Sequence, residues 1–252
     1  MHLIGICASV TDAPALAAAG ADFVEEIITR FLVPEGPAFT APKTAIPILA
    51  ANVFFPPTLK CVGPVVETAR LVRYADTAFR RAQEAGIQTI VFGSGGSRNI
   101  PEGFSKSKAE EQFVALLKKI APLARRSGIT IVIEPLNKKA CNFILSVREA
   151  DELARACNHP NVRVLADIYH MLHDGQTPDD ILRYGSWLRH VHIAELEGHA
   201  APGVHGEDFR AFFRALKKVS YTGPVSMECN WGDLATEAGL AVTELRRQIN
   251  AA

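Results

Sequence analysis

The sequence predicts an α/β fold, a single-domain (β/α)8 TIM barrel that spans residues 1–252. Three observations predict it. The chain has 252 residues, and one such barrel needs about 250. Eight short apolar segments alternate with segments of helical pattern, which is typical of parallel sheets. Several apolar segments end on a carboxylate or a histidine, and these barrels keep their chemistry at that end of the strands. A doubly wound sheet is the alternative, but the dinucleotide-binding turn is missing after the first strand.

The composition excludes several classes of partner. Hydrophobic residues make up 48% and charged residues 21% of the chain, as in ordinary soluble globular proteins. The 27 basic and 27 acidic residues balance, so no positive surface for nucleic acid is predicted. There is no apolar stretch of about 18 residues and no basic leader, so we expect a cytoplasmic protein without a membrane partner. Five cysteines without a Cys-x-x-Cys pair predict reduced thiols.

The first half of the chain supplies four predicted strands, at 3–7, 22–26, 47–53 and 88–92. A short helix follows the first strand, with Pro14 near its start and Gly20 at its end. A loop or a degraded helix follows the second strand. The third leads into the apolar loop 54–57, expected to cover a pocket or form an interface, and then into a helix at 63–85. The glycine-rich loop 93–98 follows the fourth strand.

The second half repeats the pattern with strands at 129–133, 162–167, 190–195 and 224–228. Capping boxes predict helix starts where Ser107 precedes Glu110 and where Ser146 precedes Glu149. The stretch 177–180 caps another short helix, and two more are expected at 207–218 and 233–248.

Four strands in succession deliver metal-binding groups to one end of the predicted sheet: Glu134, Asp167, His192 and Glu228. Pro135 cannot donate to a strand ladder, so Glu134 marks the end of its strand. Because side chains alternate along a strand, His190 and His192 share a face, with His190 one layer below. Three carboxylates repel one another strongly at low dielectric, and a cation removes that conflict. Carboxylates with one imidazole suit a single divalent ion such as Mn, Co, Mg or Zn.

Three further residues are candidates for contact with a substrate. His170 follows Asp167 by three residues, just past a strand end. Arg98 lies in the glycine-rich loop, where backbone amides can approach a ligand closely. Glu25 lies near the end of the second strand, whereas His173 is expected on the loop surface.

At these residues the sequence resembles the xylose-isomerase-like barrel superfamily, in particular the sugar phosphate isomerase/epimerase group that includes the ketose 3-epimerases. The resemblance is carried by VFGSGGSR at 91–98, IEPLN at 133–137, ADIYHM at 166–171, HVHIAE at 190–195 and SMEC at 226–229. It implies one divalent metal on Glu134, Asp167, His192 and Glu228. It also implies that the two glutamates move a proton next to a carbonyl and that the position of His170 contacts a small sugar substrate.

Two positions depart from the pattern of the ketose 3-epimerases. Ala140 stands where the group has a glutamate and Gly198 where it has an arginine, and both of those residues help to hold the substrate. Arg98, His199 and His205 are the candidates to replace them. The substrate therefore remains open among ketoses, oxidised sugars, inositol-derived ketones and keto-glycosides, and so does the outcome, which is epimerisation or aldose/ketose isomerisation.

Other functions stay in view beside the isomerase. A metal-dependent lyase or hydrolase on keto-sugar derivatives would use the same groups, and a barrel without catalysis would bind sugar alone. An abasic-site endonuclease needs further histidines on the early strands, where the chain has only His2 before His159. Barrels of this group commonly form homo-oligomers, so a dimer or tetramer is a further expectation.

Overall fold

The computed structural model describes residues 2–252 and contains eight parallel strands closed into a barrel. Each strand pairs with its neighbours in chain order, and the last pairs with the first, so the sheet has no free edge. The strands are β1 (Ile4–Cys7), β2 (Phe23–Ile27), β3 (Ile48–Asn52), β4 (Thr89–Phe92), β5 (Thr130–Ile133), β6 (Val162–Asp167), β7 (Leu188–Ile193) and β8 (Val225–Met227). The predicted (β/α)8 barrel is confirmed.

Helices connect successive strands on the outside of the barrel. They are α1 (Ala13–Ala18), α2 (Ile28–Phe31), α3 (Thr68–Glu84), α4 (Gly95–Arg98), α5 (Lys106–Arg126), α6 (Val147–Cys157), α7 (Ile168–His173), α8 (Pro178–Tyr184), α9 (Arg210–Lys218) and α10 (Leu234–Asn250). The degraded second helix is confirmed as the single turn α2, which a long loop follows. Among the helices of residues 2–252, none has the length and hydrophobicity that spanning a lipid bilayer requires.

The helix starts show where local sequence signals decide the structure. The hydroxyl of Ser146 caps α6 by accepting from the amide of Glu149, and Thr177 forms a full capping box with Asp180 at α8, both as predicted. The predicted start of α5 is two residues too late, because Ser105 rather than Ser107 is the N-cap. Strand β7 also begins and ends two residues earlier than predicted, which leaves Glu195 in the loop beyond it.

The apolar loop 54–57 places its two phenylalanines in the core. Phe54 and Phe55 are fully buried and stack with a centroid distance of 4.1 Å. Both also contact Phe92 at the end of β4, so they belong to the core between barrel and helices. Phe55 and Pro57 still line the cleft at the carboxyl end of the strands. The loop therefore lies at the pocket, one of the two roles expected for it, and a role in an interface stays a prediction.

Candidate active site

Glu134, Asp167, His192 and Glu228 meet at the carboxyl end of the barrel. One donor atom of each lies within 4.8 Å of a donor atom of every other. Asp167 pairs in register with His192 across β6 and β7, while the two glutamates directly follow the last residues of β5 and β8. The parallel register therefore brings together four residues that the sequence spreads over 95 positions, from 134 to 228.

Asp167 divides its two carboxylate oxygens between two tasks. Its Oδ1 accepts a hydrogen bond from the backbone amide of His170 at 3.0 Å and so caps α7. Its Oδ2 is buried and has no hydrogen-bond partner. A buried carboxylate oxygen without a partner is costly, so this atom indicates that the site is built for a further positive group.

The ring of His192 connects the four donors to a second layer beneath them. Its Nδ1 lies 2.9 Å from Oε1 of Glu134, 3.0 Å from Oε2 of Glu228 and 3.8 Å from Oδ2 of Asp167. Its Nε2 lies 2.8 Å from Oε1 of Glu25, on the opposite side of the ring. One ring nitrogen therefore faces the candidate metal position and the other faces the interior of the barrel.

Glu25 was expected at the pocket, and the structure corrects this. Its side chain is fully buried, and its second oxygen, Oε2, lies 2.7 Å from Nε2 of His190. His190 is also fully buried, one layer below His192 as predicted. Glu25 therefore contacts two histidines rather than a substrate, because it lies on the interior face of β2 below the cleft.

The charges in this cluster shift the pKa values of its members. Burial lowers the pKa of His192, but Glu25, Glu228 and Glu134 outweigh burial and raise it well above its ordinary value. Burial raises the pKa of Glu134, and Glu228 and Asp167 add to that effect, although His192 opposes it. Burial is thus the larger cause for Glu134, whereas for His192 the neighbouring carboxylates prevail against burial.

The donor set fits a divalent cation. Ions such as Mn²⁺, Zn²⁺ or Mg²⁺ bind oxygen and nitrogen at about 2.0–2.4 Å, and donors around one ion then lie at most about 4.8 Å apart. The observed span of the four donors agrees with that limit. Three carboxylates and one imidazole without a thiolate match the hard to intermediate ions of the first transition row and magnesium. The unpartnered Oδ2 of Asp167 would gain its missing partner.

A cleft of about 270 Å³ opens directly above these donors. Its walls come from the ends of six strands and the loops that follow them, and they are formed by Asn52, Val53, Phe55, Pro57, Ser94, Gly95, Gly96, Glu134, Leu136, His170, His199 and Glu228. Among residues 2–252, no lysine or arginine belongs to this lining. The cleft therefore offers carboxylates, an amide, a hydroxyl and two imidazoles beside an apolar wall.

His170 lines the cleft, as expected for a residue that contacts substrate. The side-chain amide of Asn137 donates to its Nδ1 at 2.8 Å, and Asn137 Oδ1 in turn accepts from the backbone amides of Lys139 and Ala140. Those bonds fix the orientation of the Asn137 amide, so the proton of a neutral His170 ring is on Nε2. That N–H lies 3.8 Å from Oδ2 of Asp167 and is available to a ligand.

Asn52 is a site residue that the sequence reasoning missed. It is the last residue of β3, and its Nδ2 donates to Oε1 of Glu228 at 2.9 Å. Its other polar atom, Oδ1, is buried and has no partner. A polar residue that ends a buried strand was the available signal, the same one that identified Glu134. Asn52 was overlooked because an amide carries no charge.

Arg98 does not line the cleft, so its prediction as a substrate contact is wrong. Its side chain is fully buried and donates to the backbone carbonyls of Phe92 at 2.7 Å and Glu134 at 2.6 Å. A third, longer bond reaches the carbonyl of Ile144 at 3.5 Å. Residues 95–98 of the glycine-rich stretch form α4, and this helical turn directs Arg98 inward. Its guanidinium therefore joins the ends of β4 and β5.

Three further histidines, His173, His199 and His205, have different positions relative to the cleft. His199 follows Gly198, lines the cleft and stacks on Tyr169 with a centroid distance of 3.9 Å. His205 lies outside the cleft, with its Nδ1 3.8 Å from Oε2 of Glu197. The side chain of His173 is 31% exposed, but His173 is the last residue of α7 and does not lie in a loop as predicted. Three residues were candidates to replace the missing substrate-binding residues: Arg98, His199 and His205. Of these, His199 lines the cleft.

Gly93 leaves room for the carboxylate of Glu134, and this close approach gives a testable prediction. A Cβ atom at Gly93 would lie 1.9 Å from Oε2 of Glu134. The variant Gly93→Ala must therefore displace that carboxylate, and we expect Mn²⁺ affinity, measured by titration calorimetry, to fall about 10-fold or more. Gly239→Ala in α10 is the control, because the nearest atom there lies at 3.9 Å. Unchanged Mn²⁺ binding by Gly93→Ala would show that Glu134 is not held in this position.

Comparison with known proteins gives relatives over part of the chain and structural neighbours over all of it. A ketose 3-epimerase of Arthrobacter globiformis is 33% identical over 115 residues, which is 45% of this chain and 39% of the relative. A hydroxypyruvate isomerase of Escherichia coli (strain K12) is 27% identical over 143 residues, 56% of this chain and 55% of the relative. The chain thus spans about half the length of the curated relatives it matches, or less.

The structural match is more complete. The D-psicose 3-epimerase of Clostridium cellulolyticum H10, solved with D-tagatose, superposes with a TM-score of 0.85 over 99% of both chains at 18% identity. That similarity confirms the fold. A family model described as "Xylose isomerase-like TIM barrel" matches residues 44–248, most of the chain. The chain belongs to the Xylose isomerase-like TIM barrel family.

Proposed function

We propose that this protein is a divalent-metal-dependent sugar isomerase or epimerase that moves a proton on a carbon next to a carbonyl. The observation that carries the proposal is the meeting of Glu134, Asp167, His192 and Glu228 at the floor of one cleft. The relatives named ketose 3-epimerase and hydroxypyruvate isomerase support the same class of reaction.

In this proposal the metal ligands are Glu134, Asp167, His192 and Glu228. The ion supplies, when bound, Lewis-acid stabilisation of the substrate oxygen that gains charge as the proton leaves. Manganese, cobalt, magnesium and zinc all suit the donor set, and manganese is our first choice.

Glu134 and Glu228 act as the acid/base pair. They belong to the cleft lining and come from strands β5 and β8, which are not neighbours in the barrel. A substrate between them presents one side to each carboxylate, so one removes the proton and the other returns it. Return to the opposite side of the same carbon gives epimerisation, and return to the neighbouring carbon gives isomerisation.

The remaining lining residues define the class of substrate. His170 donates from Nε2, while Asn52, Ser94 and His199 add neutral hydrogen-bonding groups. Phosphate recognition commonly uses arginine or lysine, and this lining has neither. We therefore propose a neutral keto-sugar. Because the volume is about 270 Å³, the substrate is small, without a long glycosidic or nucleotide extension.

The test is solvent exchange with the metal as the variable. Metal-stripped protein is incubated in deuterated water with Mn²⁺, Co²⁺, Mg²⁺ or Zn²⁺ and with ketoses, keto-glycosides and hydroxypyruvate, and deuterium incorporation is followed by mass spectrometry. We expect metal-dependent incorporation next to the carbonyl of a neutral ketose, and none without metal.

The alternatives give different results in the same experiment. Exchange followed by loss of a substituent identifies a lyase on a keto-sugar derivative, and cleavage without exchange identifies a hydrolase. Sugar binding with bound metal but no exchange identifies a sugar-binding barrel without catalysis. If the protein binds none of the four ions, the proposed function is wrong.

A further inference from the structure

The carboxylate of Glu25 lies between two histidine rings inside the barrel. Its Oε1 is 2.8 Å from Nε2 of His192, and its Oε2 is 2.7 Å from Nε2 of His190. All three side chains are fully buried. Ser226 adds one more contact, with its Oγ 3.2 Å from Nε2 of His190. An ionised carboxylate accepts hydrogen bonds only, so each histidine must donate from Nε2.

Both ring nitrogens of His192 face carboxylates, Nε2 that of Glu25 and Nδ1 those of Glu134 and Glu228. A cation at Nδ1 would leave the ring proton on Nε2, where Glu25 accepts it. A neutral imidazole has one N–H, and a metal binds the nitrogen that lacks it. With the proton on Nε2 facing Glu25, the lone pair of Nδ1 faces Glu134, Asp167 and Glu228. The opposite tautomer would direct N–H at the metal position and leave an oxygen of Glu25 without a donor in a buried place.

We propose that Glu25 is a positioning residue for the metal, because it holds His192 in the tautomer and ring orientation that a cation at Nδ1 requires. The inference rests on the proposed metal site and assigns a role to a strand, β2, that supplies none of the four ligands. His190 occupies the second oxygen of Glu25 and keeps the carboxylate from rotating away from His192.

Glu25→Gln tests this with almost no change in shape. A glutamine has one acceptor oxygen and one donor NH₂ group, so only one of the two histidines can still donate to it. The other ring must accept from the amide. Whenever that ring is His192, its proton is on Nδ1 and the metal site is blocked. We expect the Kd for Mn²⁺ to rise about 10- to 100-fold, the usual effect of removing such a partner of a metal ligand.

The matched control is the next residue on the same strand. Glu26 is also buried, 2% exposed, but its carboxylate accepts from the backbone amides of Val10 and Ile27 and contacts no histidine. Glu26→Gln therefore repeats the chemical change in an equally buried place without touching His192. Its Kd for Mn²⁺ should stay within about twofold of the original protein. Titration calorimetry measures both variants, and circular dichroism checks that they are folded.

A second measurement needs no variant. In ¹⁵N-histidine-labelled protein loaded with Zn²⁺ or Mg²⁺, the ring whose nitrogen shifts respond to the ion should carry its proton on Nε2. An unchanged Kd in Glu25→Gln, equal losses in both variants, or a metal-responsive ring protonated on Nδ1 would each overturn the role of Glu25. Failure of the original protein to bind any ion would instead overturn the proposed function.

Discussion

Replacing Glu228 by glutamine should lower the rate of epimerisation or isomerisation about 10²- to 10⁴-fold, the range expected when a general acid or base is lost. Glutamine keeps one oxygen, but the side-chain amide of Asn52 donates to this side chain and competes with a cation for that oxygen, so weaker Mn²⁺ binding is expected beside the lost catalysis. Glutamine cannot accept a proton at neutral pH. The rate is measured at saturating Mn²⁺, with metal content determined for each sample, so that weaker metal binding does not imitate lost catalysis.

A two-base reaction makes a sharper prediction than loss of rate. With Glu228→Gln, deuterium exchange should persist only for the epimer whose proton faces Glu134, and Glu134→Gln should show the reverse. Glu197→Gln is the control, because that carboxylate is 79% exposed in the loop beyond β7. Equal exchange of both epimers in Glu228→Gln would contradict the assignment of one base to each side.

Replacing Arg98 by methionine should lower the free energy of unfolding by about 2–4 kcal/mol, since buried carbonyls are left without donors. Arg98 is fully buried, and it bonds the carbonyls of Phe92, Glu134 and Ile144. Methionine has a similar length but no donor, so the ends of β4 and β5 lose the group that joins them. Urea unfolding of the metal-free protein measures the change.

Arg81 provides the matched control for that change. It also donates to backbone carbonyls, those of Leu32, Val33, Gly36 and Pro37, but it lies nearer the surface, where water can replace it. Arg81→Met should therefore lower the free energy of unfolding by only about 1 kcal/mol. If Arg98→Met kept full stability and raised only the KM for sugar, Arg98 would be a substrate contact after all.

The order of the elements and the place where the polar residues of the strand ends meet can be read from the sequence. Alternation of buried strands with capped helices predicted the closed barrel, because each unit must bury one face against the next. Glu134, Asp167, His192 and Glu228 were identified for a simple reason. One carboxylate at a strand end is unremarkable, but metal-binding groups on four successive strands are not, and parallel strands bring all such ends to one edge.

The tertiary structure alone decided which side chains contact one another across the barrel. In the sequence, Glu25 is a charged residue near a strand end and Arg98 is a charged residue in a glycine-rich stretch, so both were expected to contact substrate. In the structure both side chains turn inward and hold other groups in place. Asn52 carries no charge and was passed over, although it bonds Glu228. These contacts join residues 36 to 176 positions apart, so they depend on register and closure of the barrel, and no local pattern specifies them.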